Sequence, residues 1–220
     1  MAPPFLATAR GLLFSPRKTF SGLRTEEIES AFTYFLGILA IFVILMVLSR
    51  IVLLWALFIF LSFGVLNLLA LIEAIVETIV TVIAGVIGTV ITGVWIHLWV
   101  YLLGGRRGIT ETLRATFYAF TPVGLFGWIP PLFAGTALLG SISLPGWGGF
   151  PGLFGIGIIA VVVVEILLLA WGFLIAVFGV TGFQGMPEGK AANAVLIAFL
   201  IPLVLAIAGF IFLLSLNSAR

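Results

Sequence analysis

The chain has 220 residues, of which 63% are hydrophobic and only 8% are charged, and its formal net charge is +2. Because soluble domains carry about 25% charged residues and must keep their outer surface wetted, this composition excludes an ordinary soluble fold. So small a net charge gives no indication of nucleic-acid binding, and the lack of cysteine excludes disulfides, thiol catalysis and cysteine-ligated metal.

Residues 1–30 predict a segment at the membrane surface that precedes the spans. Before Ser15 and Pro16, apolar residues recur at helical spacing and Arg10 lies on the other side, which is typical of an amphipathic helix in the headgroup layer. The apolar residues with this spacing are Phe5, Leu6, Ala9, Leu12 and Leu13. Because serine followed by proline ends one helix and starts another, a second short helix is expected after Ser15.

The second short helix is expected to place Phe20 and Leu23 in lipid, while the basic residues around them meet phosphates. Thr25 then predicts the start of the first span, because threonine caps the free amides of a helix. Carboxylates follow it at the positive end of the helix dipole, and we interpret them as structural. These carboxylates belong to Glu26, Glu27 and Glu29.

Six apolar stretches follow, and a helix needs about 20 such residues to cross a bilayer. They cover residues 31–48, 51–72, 79–103, 113–139, 153–180 and 191–214. Runs this long exclude a barrel, whose strands alternate over about 10 residues. The sequence therefore predicts an all-α, polytopic membrane bundle of about five transmembrane helices. Residues 1–30 form the N-terminal interfacial segment, 31–214 the membrane domain and 215–220 a short tail.

Clusters of basic residues predict the topology, because short loops rich in Arg and Lys stay in the cytoplasm. One cluster precedes the first span and the other follows residue 103, so an even number of crossings should separate them. The stretch 51–72 is therefore expected to be an extension, a re-entrant piece or an interfacial helix with a turn at 62–67; three crossings are the alternative. The basic residues expected to face lipid or a partner are Arg10, Arg17, Lys18, Arg24, Arg106, Arg107 and Arg114.

Five ionisable residues interrupt the apolar stretches, where each costs several kcal/mol unless it is paired or hydrated. Arg50 is expected to pair with Glu73 and Glu77, which share a helix face, with an ion site as the alternative. Glu165 lies near the middle of its span, where it either bonds a neighbouring helix, lines a polar cavity or lies in an oligomer contact. His97 is expected to bond between helices, and no second histidine exists to build a metal site.

Small residues and prolines shape the second and third spans. Two ridges at four-residue spacing let helix backbones approach closely, and dimerisation is a further possible use of them. The prolines predict a kinked or broken third span, either for packing or, as in transporters, for binding a substrate. The ridge residues are Ala84, Gly85, Gly88, Thr89, Thr92 and Gly93, and the prolines are Pro122, Pro130 and Pro131.

The stretch 104–132 carries motifs of a known family. They are, in order, Gly104-Gly105, Thr110 to Arg114, Tyr118-Ala119 to Pro122, and Pro130. In these motifs, and in residues 13–20 and 190–191, the chain resembles the Yip family of multi-span membrane proteins, specifically its prokaryotic branch. The resemblance implies five spans with a cytoplasmic N-terminus, which agrees with the topology that the basic clusters predict. That topology places the C-terminus outside, and we expect the membrane to be a prokaryotic plasma membrane.

Eukaryotic members of the Yip family are linked to Rab-type GTPases and vesicle traffic. This chain lacks their long cytoplasmic N-terminal region and their Asp-Leu-Tyr-Gly-Pro element, so the resemblance does not carry GTPase binding over to it. The sequence has no aspartate and one histidine, and no nucleotide, zinc or nucleophile motif. We therefore expect no catalytic site, no metal and no cofactor.

Two functions remain open on the sequence. The first is a non-enzymatic membrane scaffold or adaptor, which engages lipid or a cytoplasmic protein partner through residues 1–30 and the basic loop, in trafficking or membrane organisation. The second is a small channel or transporter with a path near Glu165 and the proline-broken third span. A homo-oligomer is compatible with both.

Overall fold

Residues 4–61, 68–134 and 151–218 are described by a computed structural model, and within these ranges the chain is helical without any strand. Side chains are not described for residues 53–74, 151–154, 210 and 213–218. The helices are α1 (Phe5–Phe14), α2 (Pro16–Gly22), α3 (Ile28–Leu61), α4 (Leu68–Leu102), α5 (Ile109–Ala119), α6 (Thr121–Phe126), α7 (Pro151–Gln184) and α8 (Glu188–Ser218). Residues 129–134 are helical as well.

Five helical segments in the described residues are long and apolar enough to cross a membrane, which confirms the predicted bundle. In chain order they are Ile28–Val52, Ile75–Leu102, Ile109–Ala134, Gly155–Gln184 and Glu188–Gly209. Large apolar side chains cover their outer surface; Ile87, Leu167 and Leu205, for example, are each more than half exposed. Such a surface needs hydrocarbon around it.

The ambiguous stretch 51–72 is divided between the end of α3, at Leu61, and the start of α4, at Leu68. Helix α3 has 34 residues and α4 has 35. At a rise of about 1.5 Å per residue, each helix is longer than the ~30 Å thickness of the hydrocarbon layer. Of the alternatives for residues 51–72, an extension therefore describes the structure best, because the described part of this stretch continues α3 at one end and begins α4 at the other. The turn expected at residues 62–67 lies outside the described residues.

The third span is broken at its prolines, as predicted. Helix α5 ends at Ala119 and α6 begins at Thr121, with Pro122 in its first turn. Pro122 has no N–H to give to the carbonyl of Tyr118. The Thr121 hydroxyl donates to that carbonyl instead, at 2.6 Å, so the break leaves no unsatisfied acceptor there.

Both N-terminal helices pack on the bundle, and the start of α1 contacts the first span. The Phe5 ring lies 5.1 Å from the Tyr34 ring and against Gly37, about two and a half turns into α3. Thr8, Ala9 and Leu12 are buried. The predicted apolar face was wrong in one respect, because Leu6 is 76% exposed and shares its side of the helix with Arg10 and Phe14.

Helix α2 lies across α7, and its apolar residues enter the protein core rather than lipid. Phe20 and Leu23 are each 1% exposed, so the expectation that they dip into the membrane was wrong. The reason is a groove on α7 where Gly179 and Gly182 lack side chains: a Cβ on Gly182 would lie 3.3 Å from Cβ of Phe20. The Phe20 ring packs edge-on against Phe183 and Tyr118.

Candidate functional site at the basic end of the bundle

Because two spans separate each of these segments from the next, α2, the connection 103–108 and the connection 185–187 lie at one end of the bundle, here called the basic end. Eight of the ten Lys and Arg residues lie in these segments or within six residues of them. They are Arg10, Arg17, Lys18, Arg24, Arg106, Arg107, Arg114 and Lys190. Positive charge is thus in excess where the N-terminal helices meet the spans, although Glu26, Glu111 and Glu188 lie there as well.

Most of these basic side chains are exposed, including Arg10, Lys18, Arg24 and Arg106. Arg106 covers the ring of Tyr101 with its guanidinium 4.5 Å from the ring centre, a cation–π contact. They present charge outward without a carboxylate partner among the described residues.

Two other arginines are exposed but engaged in holding the basic end together. Arg17 pairs with Glu188 at 2.6 Å, which ties α2 to the start of α8. Arg107 donates from Nη1 to the Phe183 carbonyl at 3.1 Å, and its guanidinium covers Gly185, whose φ of +66° favours glycine. These two arginines therefore stabilise the basic end, and their charges are less available to an external ligand than those of the unpaired basic residues.

Arg114 was expected at the lipid- or partner-facing surface, and the structure buries it instead, at 4% exposure. Its Nη2 donates to the Leu23 carbonyl at 2.7 Å, just beyond the end of α2. Its Nη1 donates to Glu111 at 2.8 Å, and the guanidinium stacks 4.2 Å over the Phe183 ring. The last carbonyls of a helix have no internal donors, so Arg114 satisfies one of them and joins α2, α5 and α7.

A polar cluster lies beneath α1, where the connection before α3 meets α5. The Tyr118 hydroxyl donates to Glu26 Oε2 at 2.8 Å, and the Tyr34 and Thr121 hydroxyls are 3.0 Å apart. Glu26 was interpreted as part of the first turn of the first span, but α3 begins at Ile28. Its carboxylate therefore turns back into the protein, where Tyr118 holds it.

A second polar cluster joins α4, α5 and α7. His97 Nδ1 lies 2.9 Å from the Thr112 hydroxyl, which also accepts from Gln184 Nε2 at 3.0 Å. Gln184 in turn donates to the Gly108 carbonyl and accepts from the Arg107 amide. The interhelical role predicted for His97 is thus the one it has. Within the described residues no group of three potential ligands could hold a metal ion.

The Gly104-Gly105 pair closes α4 with a Schellman motif. The Gly105 amide donates to the Val100 carbonyl at 2.8 Å, and the Gly104 amide donates to Tyr101 at 3.2 Å. Gly104 has φ +104°, which side chains disfavour. A Cβ on Gly105 would collide with the Val100 side chain and lie 3.2 Å from Gln184 Oε1. The pair therefore lets the connection pass close to the His97 cluster.

The remaining sequence candidates lie elsewhere. Arg50 makes a bidentate pair with Glu77, as expected, away from the basic end; the side chain of Glu73 lies outside the described residues. Glu165 is exposed on the outer surface of α7, with no hydrogen bond or ion pair to the described side chains. Because α7 is apolar on every side, its sequence gave no indication of which face is buried.

The two small-residue ridges of α4 have different surroundings. Gly85 and Gly93 face Leu39 and Leu113, so this ridge brings α4 against α3 and α5. The other ridge, with Gly88, has open space in front of it and lines an apolar cleft of about 300 Å³. The predicted close packing is therefore confirmed for the first ridge.

Several residues of the basic end were missed by sequence reasoning. Thr112, Thr121, Phe183 and Gln184 each contribute a contact that crosses between helices. Gln184 had a recognisable feature, since an uncharged amide at the end of an apolar helix needs hydrogen-bond partners when buried. Thr121 directly precedes a proline, which could have indicated that its hydroxyl replaces the missing amide.

Replacing Tyr118 by phenylalanine is expected to destabilise the protein by about 1.5–3 kcal/mol, the range for a hydrogen bond to a charged group. The change leaves the buried ring in place and removes the donor to Glu26. The measurement is the thermal unfolding midpoint in detergent. Tyr101→Phe is the matched control, because Tyr101 is 51% exposed; equal midpoints for both variants would contradict the prediction.

Comparison with known families gives one match. The family model described as the Yip1 domain matches residues 10–211, which include α2, all five spans and most of the basic end. Neither the curated proteins nor the solved structures contain a match to the chain.

Proposed function

Because the chain belongs to the Yip1 domain family, we propose that this integral membrane protein is a non-enzymatic scaffold that organises anionic lipid around its basic end. We further propose that the basic end is cytoplasmic, in a prokaryotic plasma membrane, with the C-terminus outside. Short basic segments favour that orientation. A cytoplasmic protein partner would meet the same exposed residues, in the manner of an adaptor.

One observation carries the proposal: the segment with α1 and α2 packs on the bundle through its apolar residues, and its basic side chains point outward. Phe20, Leu23 and Leu12 are fully buried, while Arg10, Lys18 and Arg24 are exposed. We call these three the platform residues. Basic groups held at the bilayer surface attract anionic headgroups without losing much conformational freedom on contact, because their backbone is already ordered.

Exposed apolar side chains support a position for α1 in the bilayer surface. Leu6 and Phe14 are 76% and 75% exposed, one turn before and after Arg10 on the same side of the helix. Arg10 can therefore extend its guanidinium to a lipid phosphate, while its aliphatic carbons and the side chains of Leu6 and Phe14 remain among the acyl chains. Lipid therefore fits this surface of α1 better than water does.

Neutralising the three platform residues to glutamine is expected to weaken anionic-lipid enrichment by about 3 kcal/mol, at about 1 kcal/mol for each basic residue. The measurement is the number of phosphatidylglycerol molecules retained by the purified full-length protein, by native mass spectrometry. The paired variant Glu27→Gln/Glu29→Gln is the control, because it alters exposed charges nearby in the opposite sense. Equal retention by the platform variant and the native protein would reject the scaffold proposal.

The alternative, a small channel or transporter, needs a polar path near Glu165. That carboxylate is exposed on the outside of α7, and the nearby cleft is lined mainly by apolar residues such as Leu168 and Leu169. These observations favour the scaffold. A solute flux in proteoliposomes that Glu165→Gln abolishes, with folding retained, would favour transport instead.

A further inference from the structure

A cleft of about 170 Å³ opens between α1, the start of α3 and α5. Its apolar walls are the rings of Phe5, Tyr34 and Tyr118, and the Glu26 carboxylate lies at one side. Since a water molecule occupies ~30 Å³ in the liquid, the cleft has room for a group of several heavy atoms. The platform residues are no part of it.

The carboxylate in this cleft has an incomplete set of partners. Glu26 Oε2 accepts from Tyr118, but Oε1 is buried and has no hydrogen-bond donor. No basic side chain among the described residues forms an ion pair with Glu26. The nearest buried cation on the same helix as Tyr118 is Arg114, which is engaged by Glu111 and the Leu23 carbonyl. A half-buried carboxylate without a counter-charge is costly, and a bound cation would offset that cost.

The chemistry of the walls selects the kind of cation. The faces of aromatic rings attract an organic cation, and the nearby hydroxyl of Ser30 can accept an N–H. Calcium requires six to eight oxygen ligands, whereas the cleft offers one carboxylate, so a divalent metal fits poorly. An alkyl ammonium group fits this lining: its positive charge suits the carboxylate, its N–H groups can donate to the hydroxyl, and its apolar stem suits the aromatic rings.

We propose that this cleft binds a primary ammonium group, with the ethanolamine headgroup of a membrane phospholipid as its source. Thr33 is exposed at the rim, and Leu36, 40% exposed, lies one turn further along the span. The opening is therefore continuous with the lipid-facing surface at the level where the first span begins. A headgroup can enter there while its acyl chains remain beside α3. This site goes beyond the scaffold and does not depend on the platform residues.

The test uses the full-length protein in nanodiscs that contain phosphatidylethanolamine, with N-acetyl phosphatidylethanolamine as the probe that lacks the ammonium charge. Native mass spectrometry counts the lipid retained after mild delipidation. The native protein is expected to retain the amine lipid at least about tenfold better, equivalent to about 1.4 kcal/mol. Glu26→Gln is expected to abolish this preference, and the exposed neighbour Glu27→Gln to keep it.

Thr33→Phe provides a second variant, since it narrows the cleft from its exposed rim and leaves Glu26 and its bond to Tyr118 intact. It too should lose the preference, including in the event that Glu26→Gln fails to fold. Competition by soluble ethanolamine would support the same ammonium chemistry and identify a soluble amine as a further source. Equal retention of the two lipids by the native protein, or a preference unchanged in Thr33→Phe, would overturn the proposal.

Discussion

Replacement of Arg114 by leucine is expected to detach the N-terminal helices and to destabilise the protein by about 3–5 kcal/mol, the range for removing one member of a buried ion pair. The Arg114 residue is 4% exposed, and its guanidinium donates both to Glu111 and to the Leu23 carbonyl beyond α2. Leucine would remove the Arg114 donors from both acceptors, so that Glu111 loses its ion-pair partner and the Leu23 carbonyl keeps only the Glu26 amide, at 3.1 Å. The thermal midpoint in detergent should fall, and trypsin should cleave sooner after Arg17 and Lys18.

Two further substitutions separate this effect from a general loss of charge. Arg106→Leu removes an arginine from the same end, but Arg106 is exposed and contacts only the Tyr101 ring among the contacts described, so a change below about 1 kcal/mol is expected. Arg114→Lys keeps the charge without the planar fork that reaches two acceptors and should have an intermediate midpoint. A native midpoint and a native cleavage rate for Arg114→Leu would contradict the prediction and show that α2 is held without Arg114, by its apolar contacts and the Arg17–Glu188 pair.

The burial of Arg114 also marks the limit of what local sequence reveals. Arg106, Arg107 and Arg114 lie within nine residues of one another, and the basic-loop pattern treats them alike. Only the docking of α2 across α7 brings the Leu23 carbonyl to Arg114, across 91 positions of the chain. Contacts of this kind depend on which faces of the helices pack together. Hydrophobic periodicity cannot predict the packed face of a helix that is apolar on all sides, such as α7.

Other features could be predicted because they arise from local physical constraints. The positions of the spans can be predicted from long apolar runs, because a helix in hydrocarbon must satisfy its own backbone groups and present apolar side chains to lipid. This requirement does not depend on how the helices pack against one another. Ser15-Pro16 predicts the boundary between α1 and α2, and Pro122 the break in the third span, because proline lacks an amide donor. The Arg50–Glu77 pair follows from the cost of leaving charges unpaired near the membrane. The bond from Tyr118 to Glu26 spans 92 positions and has no comparable local pattern.

Replacing Gly179 by leucine is expected to cost about 3 kcal/mol, the upper part of the usual range for overpacking. The contact of α5 with α7 is the most extensive between any two helices described. A Cβ on Gly179 would already lie 2.8 Å from the Ala115 Cβ and 3.1 Å from the Phe20 ring. Because part of that wall is backbone, a leucine would have to push α5 and α2 away from α7, and the thermal midpoint should fall accordingly.

The sign of this effect depends on packing and not on helix propensity, and matched variants test the distinction. Gly88→Leu also places leucine in a spanning helix, but beyond the adjoining backbone of its own helix no atom lies within 4 Å of its Cβ position. Since leucine favours helices over glycine, this variant should be neutral or slightly stabilised. Gly179→Ala should be mildly destabilised and regain stability when combined with Ala115→Gly, because the second change removes the Cβ that the first one meets. Strict additivity of these two changes would show that Gly179 does not bring α5 and α7 together, and the groove that accepts Phe20 would then need another explanation.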